Sequence, residues 1–334
     1  MDLTLVCAGV IAFGVLLYVV LDGFDLGIGI LFPFMPSRAA QDLAVHSIEP
    51  VWDGNETWLI LGGAVLFAAF PKAYAVALSA FYIPVMLLLF ALIFRGVAFE
   101  FRLKAQRSKA FWNAAFYLGS TTAAFAQGLL LGALLQGVEL VNGEFGGGAW
   151  DWLSPFSIVS GLGVVGGYAL LGATWLNMKS SGEIQQWARM AARRCLLITL
   201  MFLAVVSIYT PLEFPAVAER WFSGMNALLL APVPLSTAVV AASLWRELDH
   251  GAERMPFFYA IALFMLGYLG IGISLWPHIL PPAMSIWDAA APLKSQQFLL
   301  VAVAAALPMV LIYTAYAYWV FRGKAEQGAG YSGH

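Results

Sequence analysis

The chain has 334 residues, 61% of them hydrophobic and only 11% charged, with a mean hydropathy of +0.82. Soluble domains carry about a quarter charged residues, so a chain of this composition could not cover a soluble surface and reads as a polytopic membrane protein. The net charge of −2 says little, because distribution outweighs sum in a membrane protein; Cys7 and Cys195 lack the spacing of a disulfide framework or a zinc site, and no nucleic-acid partner is expected.

At about 20 apolar residues per crossing, the chain predicts nine transmembrane helices. They fall near 4–31, 52–70, 73–97, 113–137, 155–177, 195–213, 221–244, 256–277 and 297–321. The opening segment lacks a basic n-region and a small-residue cleavage site, so it reads as a retained first span. Pro71 to Tyr74 (PKAY) reads as a tight turn between the second and third spans. The loop VNGEFGGGAWDWLSP is acidic and glycine-rich, with Trp150 and Trp152 as expected interfacial anchors. Residues 1–321 read as one transmembrane domain, all-α, with two four-helix bundles (helices 1–4 and 5–8) and a peripheral ninth helix. Residues 322–334 read as a short, disordered cytoplasmic tail.

Basic residues divide unevenly between the two sets of alternating loops. One side holds Arg38, Arg102, Lys104, Arg107, Lys109, Lys179, Arg189, Arg193, Arg194, Arg246, Arg254, Arg322 and Lys324; the other holds Lys72, Arg220 and Lys294. This asymmetry places the first set in the cytoplasm, the N-terminus outside and the C-terminus inside.

Charges within the spans carry the functional signal. Asp22 and Asp25 lie in the cytoplasmic half of the first span, i and i+3 on one face. Asp53 and Glu56 repeat that spacing at the cytoplasmic mouth of the second span, and Arg95 lies near the cytoplasmic end of the third. Ionised groups facing lipid cost several kcal/mol, so these five are expected to face protein, water or one another, and intramembrane acids mark proton routes by default. Structural roles account for the same residues: Asp53 and Glu56 as helix-capping acids, Asp25 with Arg95 as an ion pair locking two helices, Asp22 as a packing hydrogen-bond partner. His46, His250, His278 and His334 sit in loops, at helix edges or in the tail, which supplies no axial pair for haem and no metal cluster inside the spans.

Three stretches, LDGFDLGIGIL, EPVWDGNETWLILGGAVLFAAFPKAY and FYIPVMLLLFALIFRGVAFEFR, resemble subunit II of the cytochrome bd-type quinol oxidases. The motifs occur in order over roughly Leu21 to Arg102, and the compact chain is most similar to the shorter cyanide-insensitive branch. The resemblance implies a bacterial inner-membrane complex that oxidises ubiquinol or another quinol and reduces oxygen to water. In it a haem-bearing subunit I carries haem b and haem d, or a haem b in place of the latter, while subunit II ligates none of them. It further implies that Asp53 serves proton entry, and that Asp25 and Arg95 are needed for a properly assembled haem site. Some members hold a structural quinone in this subunit or add a small single-helix accessory subunit beside membrane lipid. A proton-coupled secondary transporter is the rival reading, although no matching pair of broken helices stands out.

Overall fold

The structure, a computed structural model, describes residues 2–105 and 107–325. The expected tail and His334 lie outside the described residues from position 326 onward. The long helices are α1 (Leu3–Leu31), α3 (Trp52–Ala69), α5 (Tyr82–Lys104), α6 (Lys109–Gln136), α7 (Pro155–Lys179), α8 (Gly182–Glu213), α11 (Pro232–His250), α12 (Met255–Leu275) and α14 (Leu293–Val320). Short helices α2 (Arg38–Ile48), α4 (Pro71–Ala80), α9 (Pro215–Phe222), α10 (Asn226–Leu230) and α13 (Ile286–Ala289) decorate the ends. Two antiparallel hairpins of two or three residues per strand, β1–β2 (Leu140–Val141, Glu144–Phe145) and β3–β4 (His278–Leu280, Met284–Ser285), leave the fold all-α. Among the described residues eight helices are long and apolar enough to cross a membrane, and the bent pair α3–α4 makes a ninth.

Local signals explain most of the boundaries. Asp2 caps α1 by accepting from the Thr4 amide at 2.9 Å. Ser154 and Ser157 form a capping box ahead of Pro155 at the start of α7. Gly251, at φ 79°, closes α11 in the left-handed conformation.

Several expected boundaries shift. The third span, expected over 73–97, divides: α3 and α4 meet at 118°, and the return crossing begins only at Tyr82. Proline explains both events. Pro71 opens α4, and Pro84 sits in the first turn of α5, where its missing N–H breaks no helical hydrogen bond. The end of α5 moves to Lys104, which sets Arg95 nine residues, or about 14 Å, inside the helix rather than near its end. The span expected over 195–213 is the last part of α8, whose first turns carry Arg189 and Arg193 onto the carbonyls of Gly251 and Leu248. The span expected over 221–244 is α11, which starts at Pro232 after α9 and α10. Helix α2 was not expected at all. Trp150 is exposed as an anchor should be, but Trp152 is buried, its indole donating to the Ala149 carbonyl at 2.8 Å.

Helix packing joins α1 to α3 and α6, and α5 to α6; α7, α8, α11 and α12 pack together as a second group, and α14 lies against α3 and α1. The two groups meet where α7 packs against α1 and α6, α1 crossing α7 most tightly. There Gly27 and Gly172 let the backbones touch, and a Cβ at Gly27 would collide with the Tyr168 carbonyl. Around this crossing Phe24 stacks on Trp175 at 4.1 Å, with Phe257 and Tyr318 edge-on, tying α1, α7, α12 and α14 together.

At the end of the bundle that carries the Lys and Arg surplus, α2 is fastened by a buried arginine. Arg102 donates to Asp42 at 2.6 Å and to Asn113 at 2.7 Å, and its guanidinium lies 5.0 Å from the Phe32 ring centroid. Partial burial pushes the Asp42 carboxyl up, but Arg102 and Lys109 outweigh it and hold Asp42 below the usual carboxylate range. A depressed carboxylate stabilises the fold above its unfolded value and loses that contribution as pH falls through the folded one.

Gly27→Ala is therefore expected to lower the thermal stability of the purified protein by about 2 kcal/mol or more, the cost of forced overpacking. Gly9→Ala, where nothing lies within 4 Å of the added methyl, is expected to be neutral in the same melt. Asp42→Asn is expected to speed amide exchange across residues 38–48 by about three- to fivefold at neutral pH, with the difference from wild type shrinking as pH falls below about 4 and vanishing only below the lowered folded value.

Candidate functional site

Three helices deliver charge to one buried point. Asp22 lies nine residues before the end of α1, and Arg95 nine before the end of α5, so both sit at matching depth, about 14 Å inside the same end of the bundle. Glu56 approaches from the first turn and a half of α3, which starts at that end. Arg95 Nη1 donates to Asp22 Oδ1 at 2.7 Å, and Arg95 Nη2 lies 2.8 Å from Glu56 Oε1. The first contact is an aligned, charge-assisted hydrogen bond. The second is an ion contact out of line for hydrogen bonding, for both atoms lack a hydrogen-bonding partner. Trp52, one turn before Glu56, places its ring 5.8 Å from the guanidinium.

Exposure falls steeply through this file. The Glu56 side chain is 25% exposed, Arg95 2% and Asp22 fully buried. A quarter-exposed carboxylate thus touches a sealed guanidinium, which in turn holds a sealed carboxylate.

Asp25 stands beside this file and takes a different partner. Its Oδ2 accepts from Asn55 Nδ2 at 2.7 Å, while the Asn55 amide oxygen accepts from the Tyr318 hydroxyl at 2.9 Å. The expected Asp25–Arg95 ion pair is therefore an Asp22–Arg95 pair. Position 22 and position 25 share a face, but the guanidinium can be aligned with only one of them, and the other is matched by a neutral amide. Two carboxylate oxygens, Asp22 Oδ2 and Asp25 Oδ1, are buried with no protein partner among the described residues.

The expected Asp53–Glu56 face also separates. Glu56 turns inward to Arg95, whereas Asp53 is exposed on α3 along a strip shared with Thr57, Ile60 and Phe67. No side-chain partner of Asp53 occurs among the described residues. Asn55 and Tyr318 were not expected in the site. Asn55 lies inside the WDGNE stretch, but a neutral amide gives no charge signal, and nothing in the local sequence of α14 connects Tyr318 to α3.

His46 Nδ1 is 2.8 Å from Glu49 in α2, His250 contacts the Arg246 carbonyl at the end of α11, and His278 lies in β3. All three lie outside the buried parts of the crossing helices, so among the described residues no histidine pair is placed to ligate a haem axially.

Comparison with known proteins fits this arrangement. The family model described as "Cytochrome bd terminal oxidase subunit II" matches residues 3–321. The chain is 30% identical to cytochrome bd-I ubiquinol oxidase subunit 2 of Escherichia coli strain K12, over 93% of this chain and 92% of that one. It is 27% identical to cytochrome bd ubiquinol oxidase subunit 2 of Bacillus subtilis strain 168, over 92% of each chain. The solved bd oxidase from Geobacillus thermodenitrificans contains a chain of the same fold, with a TM-score of 0.81 at 18% identity, covering 96% of this chain and 99% of that one. With the match running almost from end to end, the chain belongs to the cytochrome bd terminal oxidase subunit II family.

Proposed function

We propose that this chain is the subunit of a bd-type quinol oxidase that ligates no haem itself and supplies protons to the reaction from the cytoplasmic side. The haems of such an oxidase pass electrons from quinol to oxygen, and the positions of His46, His250 and His278 support their ligation by a partner, subunit I. Reduction of one oxygen molecule to two waters consumes four protons and four electrons. Drawing those protons from inside while quinol releases its own outside builds a charge gradient.

The observation that carries this reading is the contact series Glu56–Arg95–Asp22, which runs from a quarter-exposed carboxylate to a fully buried one. The Lys and Arg distribution supports a cytoplasmic position for the open end of the series. Asp53, in the exposed first turn of α3, collects protons from water, and Glu56, on the next turn, receives them. Arg95 is one cation against three carboxyls, Asp22, Asp25 and Glu56, so the cluster is most stable when it also holds a proton. As Glu56 gains and loses that proton, Arg95 keeps its aligned bond to Asp22, and the guanidinium need not move.

The same cluster supports a role in assembling the haem site. Removing one member of a buried pair leaves an uncompensated charge, and this cost of about 3–5 kcal/mol falls where α1, α3 and α5 meet. Large side chains on α3 and α14, including Ile60, Phe67, Phe298 and Met309, are mostly exposed in the single chain and suit burial against subunit I and lipid. The transporter reading gains no support from the bent pair. Its bend follows Ala69, at the far end of α3 from Glu56, whereas midplane sites are built at breaks within spans.

Glu56→Gln is expected to slow oxygen-coupled proton uptake from the inside by about a hundredfold. Asp53→Asn should slow it by less, because bulk water can partly replace a surface collector, and haem content should be intact in both. Wild-type turnover of both variants across the neutral pH range would refute the proton-entry role. Neutralising Arg95, Asp22 or Asp25 is expected to lower the reduced-minus-oxidised haem absorbance of the purified complex, Arg95→Leu most severely. Full retention of the spectrum in all three would rule out the assembly role.

A further inference from the structure

A second buried polar chain abuts the charge cluster and has no part in the proton route above. Tyr168 on α7 donates its hydroxyl proton to Gln127 Oε1 on α6 at 2.6 Å, and Gln127 Nε2 donates to Tyr18 Oη on α1 at 2.8 Å. Tyr18 is 3% exposed and Tyr168 1%. Three hydrogen-bonding side chains from three helices in an apolar interior are costly unless fully matched, so the destination of every proton matters.

The chain has a direction. An amide set the other way would let Tyr18 donate to Gln127 and leave Tyr168 needing a different acceptor. Tyr168 makes no second side-chain hydrogen bond among the described residues, and its ring stacks on Phe264 at 5.8 Å and packs against Gly23. The Tyr18 end differs. Asp22, one turn further along the same face of α1, has its Oδ2 buried with no protein donor, and side chains on a helix lean toward the preceding turn. The Tyr18 proton has no protein acceptor among the described residues. An unmatched donor and an unmatched buried acceptor one turn apart form a site of the kind a buried water bridges.

From this juxtaposition we infer that Tyr18 directs its proton through one buried water to Asp22 Oδ2, with Gln127 and Tyr168 fixing that direction. The chain is a positioning device and not a wire. An amide relays a proton only through its imidic acid form, so Gln127 ends any conduction toward α7. Its effect is on Asp22. Arg95 on α5 holds one carboxylate oxygen and the Tyr18-directed water the other, with Glu56 on α3 and Asp25 on α1 as the neighbouring acids. Both Asp22 oxygens then accept from a donor, the pattern that matches a carboxylate, whereas Asp25 has a donor on one oxygen only and Glu56 Oε1 has no aligned donor. This inference rests on the proton-entry reading for its purpose, but it concerns resting protonation and can be tested without turnover.

The test is infrared difference spectroscopy on the whole oxidase complex, with carboxyl-¹³C aspartate incorporated to separate aspartic from glutamic acid bands. At neutral pH, Tyr18→Phe is expected to gain a protonated aspartic acid band absent from wild type. Gln127→Leu should gain a weaker one, since Tyr18 remains but is no longer oriented. Haem content should fall less than in Arg95→Leu, which loses the cation itself, and Tyr82→Phe, at an exposed tyrosine, should match wild type. The proposal is overturned if neither Tyr18→Phe nor Gln127→Leu gains an isotope-sensitive band, or if Tyr82→Phe gains the same one. Should Glu56→Gln and Asp53→Asn turn over normally while Tyr18→Phe gains the band, the positioning inference stands and the proton-entry role alone fails.

Discussion

The structure is organised around one guanidinium that cannot reach water. Arg95 is 2% exposed and lies well inside the bundle, and an unmatched charge there would cost several kcal/mol. Its two near partners come from different helices, Asp22 on α1 and Glu56 on α3, so matching the charge fixes how α1, α3 and α5 sit together. Apolar packing alone would not set that register. Leu and Ile faces tolerate sliding, whereas an aligned hydrogen bond of 2.7 Å does not.

Around this fixed point the rest of the interior is either very small or very specific. Gly27 and Gly172 bring α1 against α7 at backbone contact and Gly128 and Gly161 do the same for α6 and α7, which puts Tyr168 within reach of Gln127 and, through it, Tyr18. The aromatic group of Phe24, Trp175, Phe257 and Tyr318 surrounds the same crossing and positions the Tyr318 hydroxyl on Asn55. Each acid in the cluster consequently has a different kind of partner: a cation for Asp22, an amide for Asp25, an out-of-line ion contact for Glu56. Carboxyls of similar intrinsic acidity are thereby given distinct surroundings.

The far end of the bundle is built by other means. The hairpin at Asn142–Gly143 turns with positive φ at both residues, 54° and 85°, which is the geometry the Asn-Gly pair favours. Beneath it Phe81, Gln136, Glu139, Asp151 and Trp152 line an open cavity of about 400 Å³. The burial of Trp152 on that cavity, against its expected place at the membrane surface, shows that composition alone does not say which of two nearby tryptophans faces outward.

What the sequence alone determined is what depends on local composition and period. Apolar runs of helical length gave the all-α membrane architecture, the basic-residue asymmetry gave two chemically distinct ends, and acids inside apolar runs marked Asp22, Asp25, Asp53, Glu56 and Arg95. The motif stretches gave the family. Partner choice was decided only by tertiary structure. Whether Arg95 binds Asp22 or Asp25, whether Glu56 turns inward while Asp53 turns out, and whether Tyr318 meets Asn55 across 263 residues depend on helix rotation and depth. Those are set by contacts between distant segments. Residues three apart share a face in any helix, but a neighbouring helix selects between them by fractions of a turn that no single segment encodes.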